Sequence, residues 1–276
     1  MPRIVAYSLC YQEGALLCLA IRQVYDLVDE FRVVIGSSDV RPKGHPRGWW
    51  AQPDDTTSEA ILRAMPDPLN KLRIVPGRFK QWTDKQAMTD AALEGITDAI
   101  VLQLDADEFW PTELLKHCLS VFGTDPHIDS VAVPHVLFWG DCEHICRTGD
   151  GSDVWFKPPR LFRLTPNRRI RHLMPALVDK STNTDVPNGC VVHTPLRHAA
   201  WIGDARVLRK RAFYVKGRGI PMFSVEDWKN RNTLPPDRVL QINVGPMTVA
   251  PTPEEYLPPA DLRKEIEKAA SLPGKL

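Results

Sequence analysis

The 276-residue sequence lacks long hydrophobic runs, and no window reaches the ~18 consecutive apolar residues that a membrane-spanning helix requires. Its N-terminal segment also lacks the basic stretch, the long apolar run and the small-residue cleavage site of a secretory signal. We therefore expect a cytoplasmic protein without a membrane span. Only six cysteines are present, and in such a protein we expect reduced thiols rather than a disulfide framework.

The sequence also has little net charge, because 35 Lys and Arg are balanced by 34 Asp and Glu. This balance gives no global argument for nucleic acid, a membrane surface or an acidic partner, so any such interaction must be local. Residues 160–172 and 206–218 are locally basic. They predict either a solvated surface or a positive surface for a polyanionic acceptor.

The first 110 residues alternate short apolar runs with amphipathic stretches, which is typical of βαβ units that build a mostly parallel sheet. We predict strands at residues 3–8, 31–36, 72–75 and 99–104, and helices at 13–27, 57–65, 83–94 and 111–121. Shorter β-like runs follow at 130–138, 154–156, 160–164 and 190–193, with helices at 204–216 and 259–270. The predicted organisation is an α/β half over 1–125, a second half of the same domain over 126–245, and a Pro-rich tail with a short helix over 246–276.

The strongest chemical signal is the acidic segment D-A-D-E at residues 105–108, which directly follows the predicted strand 99–104. In an open α/β sheet ligands gather at the carboxyl ends of the strands, so Asp39, Asp105 and Asp107 are expected at the binding edge. Hard carboxylate oxygens suit Mg²⁺ or Mn²⁺, and in extended backbone Asp105 and Asp107 project to the same side. We predict Asp107 as the leading metal ligand and Asp105 as the second. Alternatively, these acids cap the helix that begins near Pro111.

A second group of metal-ligand residue types lies in C-E-H-I-C at residues 142–146. Cys142, His144 and Cys146 are close in sequence, and His135 and Cys190 are possible further ligands. The spacing is not that of a standard zinc knuckle. The segment therefore indicates either a structural metal site or ordinary loop cysteines.

At the acidic segment the chain resembles the family 2-like glycosyltransferases of GT-A fold, whose DxD motif typically follows a strand as D-A-D-E-hydrophobic. The opening I-V-A-Y-S-L-C-Y-Q-E-G-A-L-L resembles the first strand and Asn-Glu turn of that family, with Gln12 in place of Asn. F-R-V-V-I-G-S-S-D resembles its second strand and the acidic turn that contacts the donor nucleoside. The resemblance implies a Rossmann-like α/β fold with a mixed, mostly parallel sheet flanked by helices. It also implies a nucleotide-sugar donor, with a UDP-sugar favoured, bound by residues 1–125 with Mn²⁺ or Mg²⁺.

The same resemblance implies further site residues. Glu13 and Asp39 fall in the two donor-binding turns. T-D-K-Q-A-M-T-D-A-A-L is placed like the Arg-Asn helix start of the family, so Lys85 keeps the charge of the usual Arg without its forked geometry. V-V-H-T-P-L-R-H-A resembles the late His segment, which implies His193 as the third metal ligand and Arg197 as a diphosphate contact.

The resemblance therefore implies a metal-dependent glycosyltransferase that moves a sugar to a hydroxyl group of a glycan, a small molecule or a hydroxymethylated base in DNA. Departure of the nucleoside diphosphate develops negative charge, which a cation and nearby Lys or Arg stabilise. An inverting enzyme also needs a carboxylate base, and Asp141, Glu143 and Glu108 are the candidates. Residues 126–245 are expected to bind the acceptor and complete the site.

Two other functions remain open at this point. A divalent-metal phosphoesterase or nuclease would use Asp105, Asp107 and His193, although two-metal hydrolysis usually recruits more carboxylates or histidines. A non-catalytic nucleotide- or nucleic-acid-binding module would explain the departures from the family pattern. These departures are Gln12, Lys85, Gln86 and Thr194.

Overall fold

The computed structural model describes residues 2–36, 55–75, 82–172, 174–212, 214–215, 219–235 and 237–272. The strands are β1 (Arg3–Cys10), β2 (Glu30–Ile35), β3 (Leu72–Val75), β4 (Ala99–Gln103), β5 (Glu108–Phe109), β6 (Ser130–Ala132), β7 (His135–Gly140), β8 (His144–Thr148), β9 (Pro159–Leu164), β10 (Arg168–Arg171), β11 (Ala176–Asp179), β12 (Gly189–Val191), β13 (Leu196–Ile202), β14 (Leu240–Ile242) and β15 (Gly245–Pro251). The helices are α1 (Gly14–Val24), α2 (Thr56–Arg63), α3 (Lys85–Ala92), α4 (Thr112–Thr124), α5 (Asp204–Ala212), α6 (Val225–Lys229) and α7 (Ala260–Ser271).

The described residues divide into two compact units. The first unit comprises residues 2–36, 55–75, 82–134 and 157–194, and the second comprises 135–156 and the described residues from 195 onward. No helix among the described residues combines the length and the apolarity needed to cross a bilayer.

The first unit is built on a seven-stranded sheet with the order β12-β6-β9-β4-β1-β2-β3. The neighbours β4, β1, β2 and β3 are parallel, whereas β9 runs antiparallel to both β4 and β6. The predicted mixed, mostly parallel α/β sheet is therefore confirmed. Because β2 and β3 extend from one side of β1 and β4 pairs with the other, the strand order reverses between β1 and β4. This reversal is the topological switch point at which such sheets bind ligands.

The strands of this sheet form because their residues are apolar and fully enclosed. All five residues of β4 are buried, as expected for a central parallel strand covered on both faces. Helix α3 packs on β1 and β2, and Met88 and Ala92 join Val5 and Tyr7 in one core cluster. Helix α1 packs against α2 and α4.

Helix starts in the first unit follow the capping chemistry of their sequences. The Asp55 side chain accepts a hydrogen bond from Ser58 N and caps α2, and the Asp84 side chain accepts one from Ala87 N and caps α3. Pro111 was predicted in the first turn of a helix, and it is the N-cap residue of α4. Each element predicted before residue 125 is present, with ends that shift by a few residues.

Two predicted strands after residue 125 are wrong. The single strand expected over 130–138 is two strands, β6 and β7, separated by Val133 and Pro134. Pro134 has no N–H to donate to a ladder, so it ends the pairing of β6. Residues 154–156 form no strand, although Trp155 N donates to His135 O at 3.1 Å. The helix predicted over 204–216 is confirmed as α5 up to Ala212.

The second unit contains five strands in the order β14-β15-β8-β7-β13, with β7 and β13 parallel and the other pairs antiparallel. Its core is aromatic. Trp139 makes edge-to-face contacts with Phe223 and Trp228, with ring centroids 5.0 Å apart in both pairs. Trp201 packs edge-on against Phe223 in the same cluster.

Candidate active site

The acidic segment lies at the carboxyl end of β4, beside β1 at the switch point. Leu104 N donates to Tyr7 O at 3.0 Å, and Ser8 Oγ donates to Leu104 O at 2.6 Å, so the segment begins while still attached to β1. The strand then ends, because Glu108 N donates to Asp105 O at 3.1 Å and closes a turn. The prediction that Asp105 and Asp107 lie in extended backbone and project to the same side is therefore not supported, because a turn separates them. Asp107 is buried within this turn, whereas the Asp105 side chain is 34% exposed.

Arg160 on β9 is the main partner of the acidic segment. Its Nε lies 2.9 and 3.1 Å from the two carboxylate oxygens of Glu108, and its Nη2 lies 2.6 Å from Glu108 Oε1. The same Nη2 lies 3.2 Å from Asp105 Oδ2. One buried guanidinium therefore holds two of the three acids, using the forked donor geometry that distinguishes Arg from Lys.

The surroundings of Asp105 favour the ionised form of its carboxyl group. Burial raises its pKa, but the opposing effects of Arg160, His172 and Lys85 outweigh it and leave the pKa below its usual value. Lys85, at the start of α3, was predicted as a donor contact. Its positive charge lowers the pKa of Asp105, although the Lys85 side chain is itself exposed.

A hydrogen-bonded chain extends from Asp105 into the core of the first unit. Gln103 Nε2 lies 3.4 Å from Asp105 Oδ1, and Tyr7 Oη donates to Gln103 Oε1 at 2.8 Å. His172 Nδ1 lies 3.5 Å from Tyr7 Oη. Burial raises the pKa of Tyr7, so the phenol stays protonated and can donate to Gln103. Burial also lowers the pKa of His172 to about 4; Asp105 opposes this shift, and Lys85 and Arg160 reinforce it.

The contacts of Gln86 give a structural reason for one departure from the family pattern. Its Nε2 donates to Ile170 O at 2.9 Å, and its Oε1 accepts from His172 N at 3.1 Å. The side-chain amide thus pairs with the backbone like an added strand residue and ties α3 to the end of β10. The longer side chain at this position holds the segment that carries His172.

The turn after β1 is fixed by the start of α2. The backbone N of Gln12, a residue with φ of 57°, donates to the Asp55 carboxylate, and Gly14 N donates to Ser58 Oγ at 3.1 Å. A Cβ on Gly14 would lie 2.7 Å from Ser58 Cα, so only glycine permits this approach of α1 to α2. Glu13, a predicted donor contact, is the N-cap residue of α1 and lies half-buried in this turn.

The other predicted site residues are not gathered around the acidic segment. His193 belongs to the first unit and is exposed in the turn after β12. In the described part of the chain, Asp105, Asp107 and His193 do not bring their ligand atoms within 4.8 Å of one another. Asp39 lies outside the described residues.

Two predicted residues belong to the second unit and bind locally. Arg197 on β13 donates from Nε to Tyr256 O at 2.9 Å. Asp141, in the loop between β7 and β8, accepts from Glu143 N at 2.8 Å and lies 2.9 Å from His144 Nδ1. The contact between the Asp141 side chain and Glu143 N is a local side-chain turn of the kind common in hairpin loops.

The basic stretches are largely partnered within the chain. Every arginine of residues 160–172 contacts a carboxylate, an amide or a carbonyl group: Arg160 contacts Glu108, Arg163 contacts Ile128 O, Arg168 contacts Asp129, Arg169 contacts Asn183 and Arg171 contacts Asp185. On α5, Arg206 Nη1 donates to Ala199 O at 2.7 Å and Arg211 Nε donates to Phe223 O at 2.5 Å. The contacts with Glu108, Asp129 and Asp185 offset three of these charges and so reduce the positive charge that is available to a polyanion.

The C-E-H-I-C segment does not form a metal site of its own among the described residues. All six cysteines are free thiols, as expected. Cys146 packs in the aromatic core of the second unit, and His144 pairs with Asp141 instead of the sulfur atoms. The structure therefore favours ordinary cysteines over a structural metal site in this segment.

No protein-family model matches the chain, and no curated protein matches it. Among solved structures, it is similar to the mannosyltransferase PcManGT from Pyrobaculum calidifontis in complex with GDP-Man and Mn²⁺. The identity is 22% and the TM-score 0.36, over 49% of this chain and 36% of that one. It is also similar to residues 1–349 of S. aureus TarS, at 14% identity and a TM-score of 0.38, over 58% of this chain and 47% of that one. The chain thus spans less than half the length of either structure, and similarity at this level assigns no activity.

Proposed function

We propose that the protein is a metal-dependent glycosyltransferase that takes a sugar from a nucleotide-sugar, with a UDP-sugar favoured, and transfers it to a hydroxyl acceptor. The observation that carries this proposal is the acidic segment at the switch point between β1 and β4, with the Asp105 carboxyl kept ionised by Arg160. The resemblance of this segment and of the turn after β1 to family 2-like glycosyltransferases supports it.

The donor set fits a hard divalent cation. Asp105 is ionised and partly exposed, and carboxylate oxygens are the ligands that Mn²⁺ and Mg²⁺ prefer. Asp105 and Asp107 would hold the cation, with His193 as the proposed third ligand. When bound, the cation would act as a Lewis acid toward the diphosphate.

The residues around the segment have separate tasks in this proposal. Arg160 and Gln103 fix one carboxylate oxygen of Asp105 each, which limits its rotation before a donor binds. Lys85 supplies positive charge near the developing charge of the leaving group. Glu13, in the turn after β1, and Asp39, which follows β2 in the sequence, are proposed donor contacts, and Arg197 is a proposed diphosphate contact.

Glu108 and Asp141 differ in their suitability as the base. The Glu108 side chain is fully buried and both of its oxygens contact Arg160, so neither oxygen is exposed to an acceptor hydroxyl. The Asp141 side chain is 32% exposed. Asp141 is therefore the better base candidate, and Asp141→Asn is expected to abolish turnover while donor binding is retained.

A phosphoesterase or nuclease is a weaker proposal. Two-metal hydrolysis usually needs more ligands than two carboxylates, and no set of three metal-ligand residues that includes Asp105 or Asp107 gathers within 4.8 Å in the described ranges. The products distinguish the two reactions. A glycosyltransferase releases UDP from a UDP-sugar, whereas a phosphoesterase that cleaves the diphosphate releases UMP, and ³¹P NMR separates them.

A thermal-shift panel of nucleotide-sugars with and without Mn²⁺ tests the proposed donor class. The melting temperature should rise only when donor and metal are both present, because a ligand that binds the native state stabilises it. Asp107→Asn should lose this shift. Asp98→Asn is the matched control, because Asp98 is an exposed acid at the opposite end of β4 and its φ of 52° suits Asn. Insensitivity to every donor would overturn the proposal.

The acceptor is proposed at the level of its hydroxyl group, on a glycan, a small molecule or a hydroxymethylated base in DNA. The partnered arginines of residues 160–172 weigh against the DNA acceptor. A gel shift at two salt concentrations checks this, because binding to DNA phosphates must weaken steeply as salt rises. The absence of salt-sensitive binding would remove the DNA acceptor.

A further inference from the structure

Two histidines lie side by side in the second unit, away from the cysteine segment in which the sequence suggested a metal. His135 begins β7 and His198 lies on β13, and the parallel register pairs Leu196 with His135 and His198 with Leu137. The two histidines are therefore two residues apart in register and project from the same face. Their Nδ1 atoms are 3.4 Å apart.

The two Nδ1 atoms are close enough for a long hydrogen bond, and the same distance fits shared ligation of one metal ion. Hydrogen bonds from an N–H donor to an oxygen acceptor are usually shorter, with donor–acceptor distances of roughly 2.9–3.0 Å. Two imidazole nitrogens that each bind a tetrahedral zinc at ~2.0–2.1 Å lie about 3.3–3.4 Å from each other. The ring planes are nearly perpendicular, at 83°, and the centroids are 5.3 Å apart.

The pair is held rigidly, as a metal site requires. His135 is fully buried, and its backbone is fixed by bonds from His135 N to Phe156 O at 3.0 Å and from Trp155 N to His135 O at 3.1 Å. The Phe156 ring packs on the His135 ring with centroids 4.6 Å apart and contacts the His198 ring edge-on. His198 is partly exposed, so a cation can reach the pair from its side.

We propose that His135 and His198 bind one divalent transition metal of the imidazole-preferring class, represented by Zn²⁺ or Co²⁺, through their Nδ1 atoms. Imidazole suits Zn²⁺, whereas carboxylates suit Mn²⁺ and Mg²⁺, so this site is chemically distinct from the proposed cation site at Asp105 and Asp107. The inference does not depend on the proposed sugar transfer.

A titration of chelator-treated full-length protein with Co²⁺, followed by visible absorption, tests the site. Wild type should develop d–d bands that saturate at one Co²⁺ per chain, and Zn²⁺ should displace the signal. His198→Gln should weaken binding at least tenfold. His198 is the residue to change first because it is partly exposed, and far-ultraviolet circular dichroism checks that the variant is folded.

Two controls separate this site from other metal binding. His117→Gln removes an exposed histidine of α4 and should leave the Co²⁺ titration unchanged. Asp107→Asn, which should abolish the Mn²⁺-dependent donor shift, should also leave it unchanged. Equal Co²⁺ affinity in wild type and His198→Gln, or the absence of d–d bands in wild type, would overturn the proposal. Neither result would affect the proposed glycosyltransferase.

Discussion

Arg160 and Glu108 form a buried ion pair in which the guanidinium Nη2 lies 2.6 Å from the carboxylate Oε1. The two side chains are 5% and 0% exposed, so neither charge can recover its hydration if the other is lost. The pair also places Arg160 beside Asp105. It therefore links the stability of the first unit to the geometry of the acidic segment.

Removal of one partner should strongly destabilise the fold. Arg160→Gln leaves the Glu108 carboxylate buried without its cation, and we expect a loss of about 3–5 kcal/mol in the free energy of unfolding. Urea unfolding measures this loss. The double variant Arg160→Gln/Glu108→Gln should recover part of it, and Arg169→Gln, which removes an exposed contact to Asn183, should change stability by less than about 0.5 kcal/mol. A loss below about 1 kcal/mol for Arg160→Gln would contradict the described ion pair.

Acid sensitivity should come in part from His172. Its pKa is lowered to about 4 in the folded chain, so between its ordinary value of 6.5 and that value the unfolded chain binds a proton that the folded chain does not. The contribution of neutral His172 to the free energy of unfolding is therefore fully present above pH 6.5 and is lost as the pH decreases toward 4. The loss is about 2 kcal/mol between pH 7 and pH 5.

The variant His172→Asn isolates this contribution, because Asn does not titrate. Urea unfolding of wild type and variant at pH 7 and pH 5 should show a smaller acid loss in the variant, by about 2 kcal/mol. Equal losses in the two proteins would mean that His172 titrates normally in the folded state.

Two glycine variants test the close approach of α1 to α2. Gly14→Ala places a methyl group against the Ser58 backbone and should cost about 1–3 kcal/mol. Gly123→Ala, within α4, meets no atom within 4 Å and should stabilise the protein by about 0.5–1 kcal/mol. Thermal unfolding distinguishes the two, and similar effects of both would show that the packing at Gly14 is loose.

Gln86 should control the local stability of the segment after β10. Gln86→Ala removes the acceptor of the His172 N–H, so exchange of that amide hydrogen with solvent should become faster. Asp90→Ala is the control, because Asp90 contacts the Gln86 side chain but not the His172 backbone. Hydrogen exchange measured by NMR reads out the amide directly, and unchanged exchange in Gln86→Ala would show that the contact does not protect it.

The sequence was sufficient where structure follows from local pattern. The apolar run before Asp105 predicted β4 and the placement of the acids at its carboxyl end. Asp55 and Asp84 stand where helix caps are favoured, and both cap their helices. Where Pro134 interrupts an apolar run, continuity of hydrophobic residues was misleading, because the missing N–H decides where the strand ends.

Sequence reasoning missed the residues that surround Asp105. Tyr7, Gln103 and Arg160 come together around Asp105 because β1, β4 and β9 are neighbours in the sheet, and His172, after β10, contacts Tyr7. Long-range strand pairing leaves no trace in local periodicity. Gln103 within the predicted strand was the available signal, since a polar side chain in a buried strand must find a partner.

A Mn²⁺ titration followed by electron paramagnetic resonance, in the presence of UDP, tests the central claim that the acidic segment holds a cation for a nucleoside diphosphate. Free Mn²⁺ loses signal intensity when it binds, so the spectrum reports affinity and stoichiometry. Wild type and Asp98→Asn should each bind one Mn²⁺ per chain, and Asp107→Asn should bind at least tenfold more weakly. Equal Mn²⁺ affinity in Asp107→Asn and Asp98→Asn would contradict the claim.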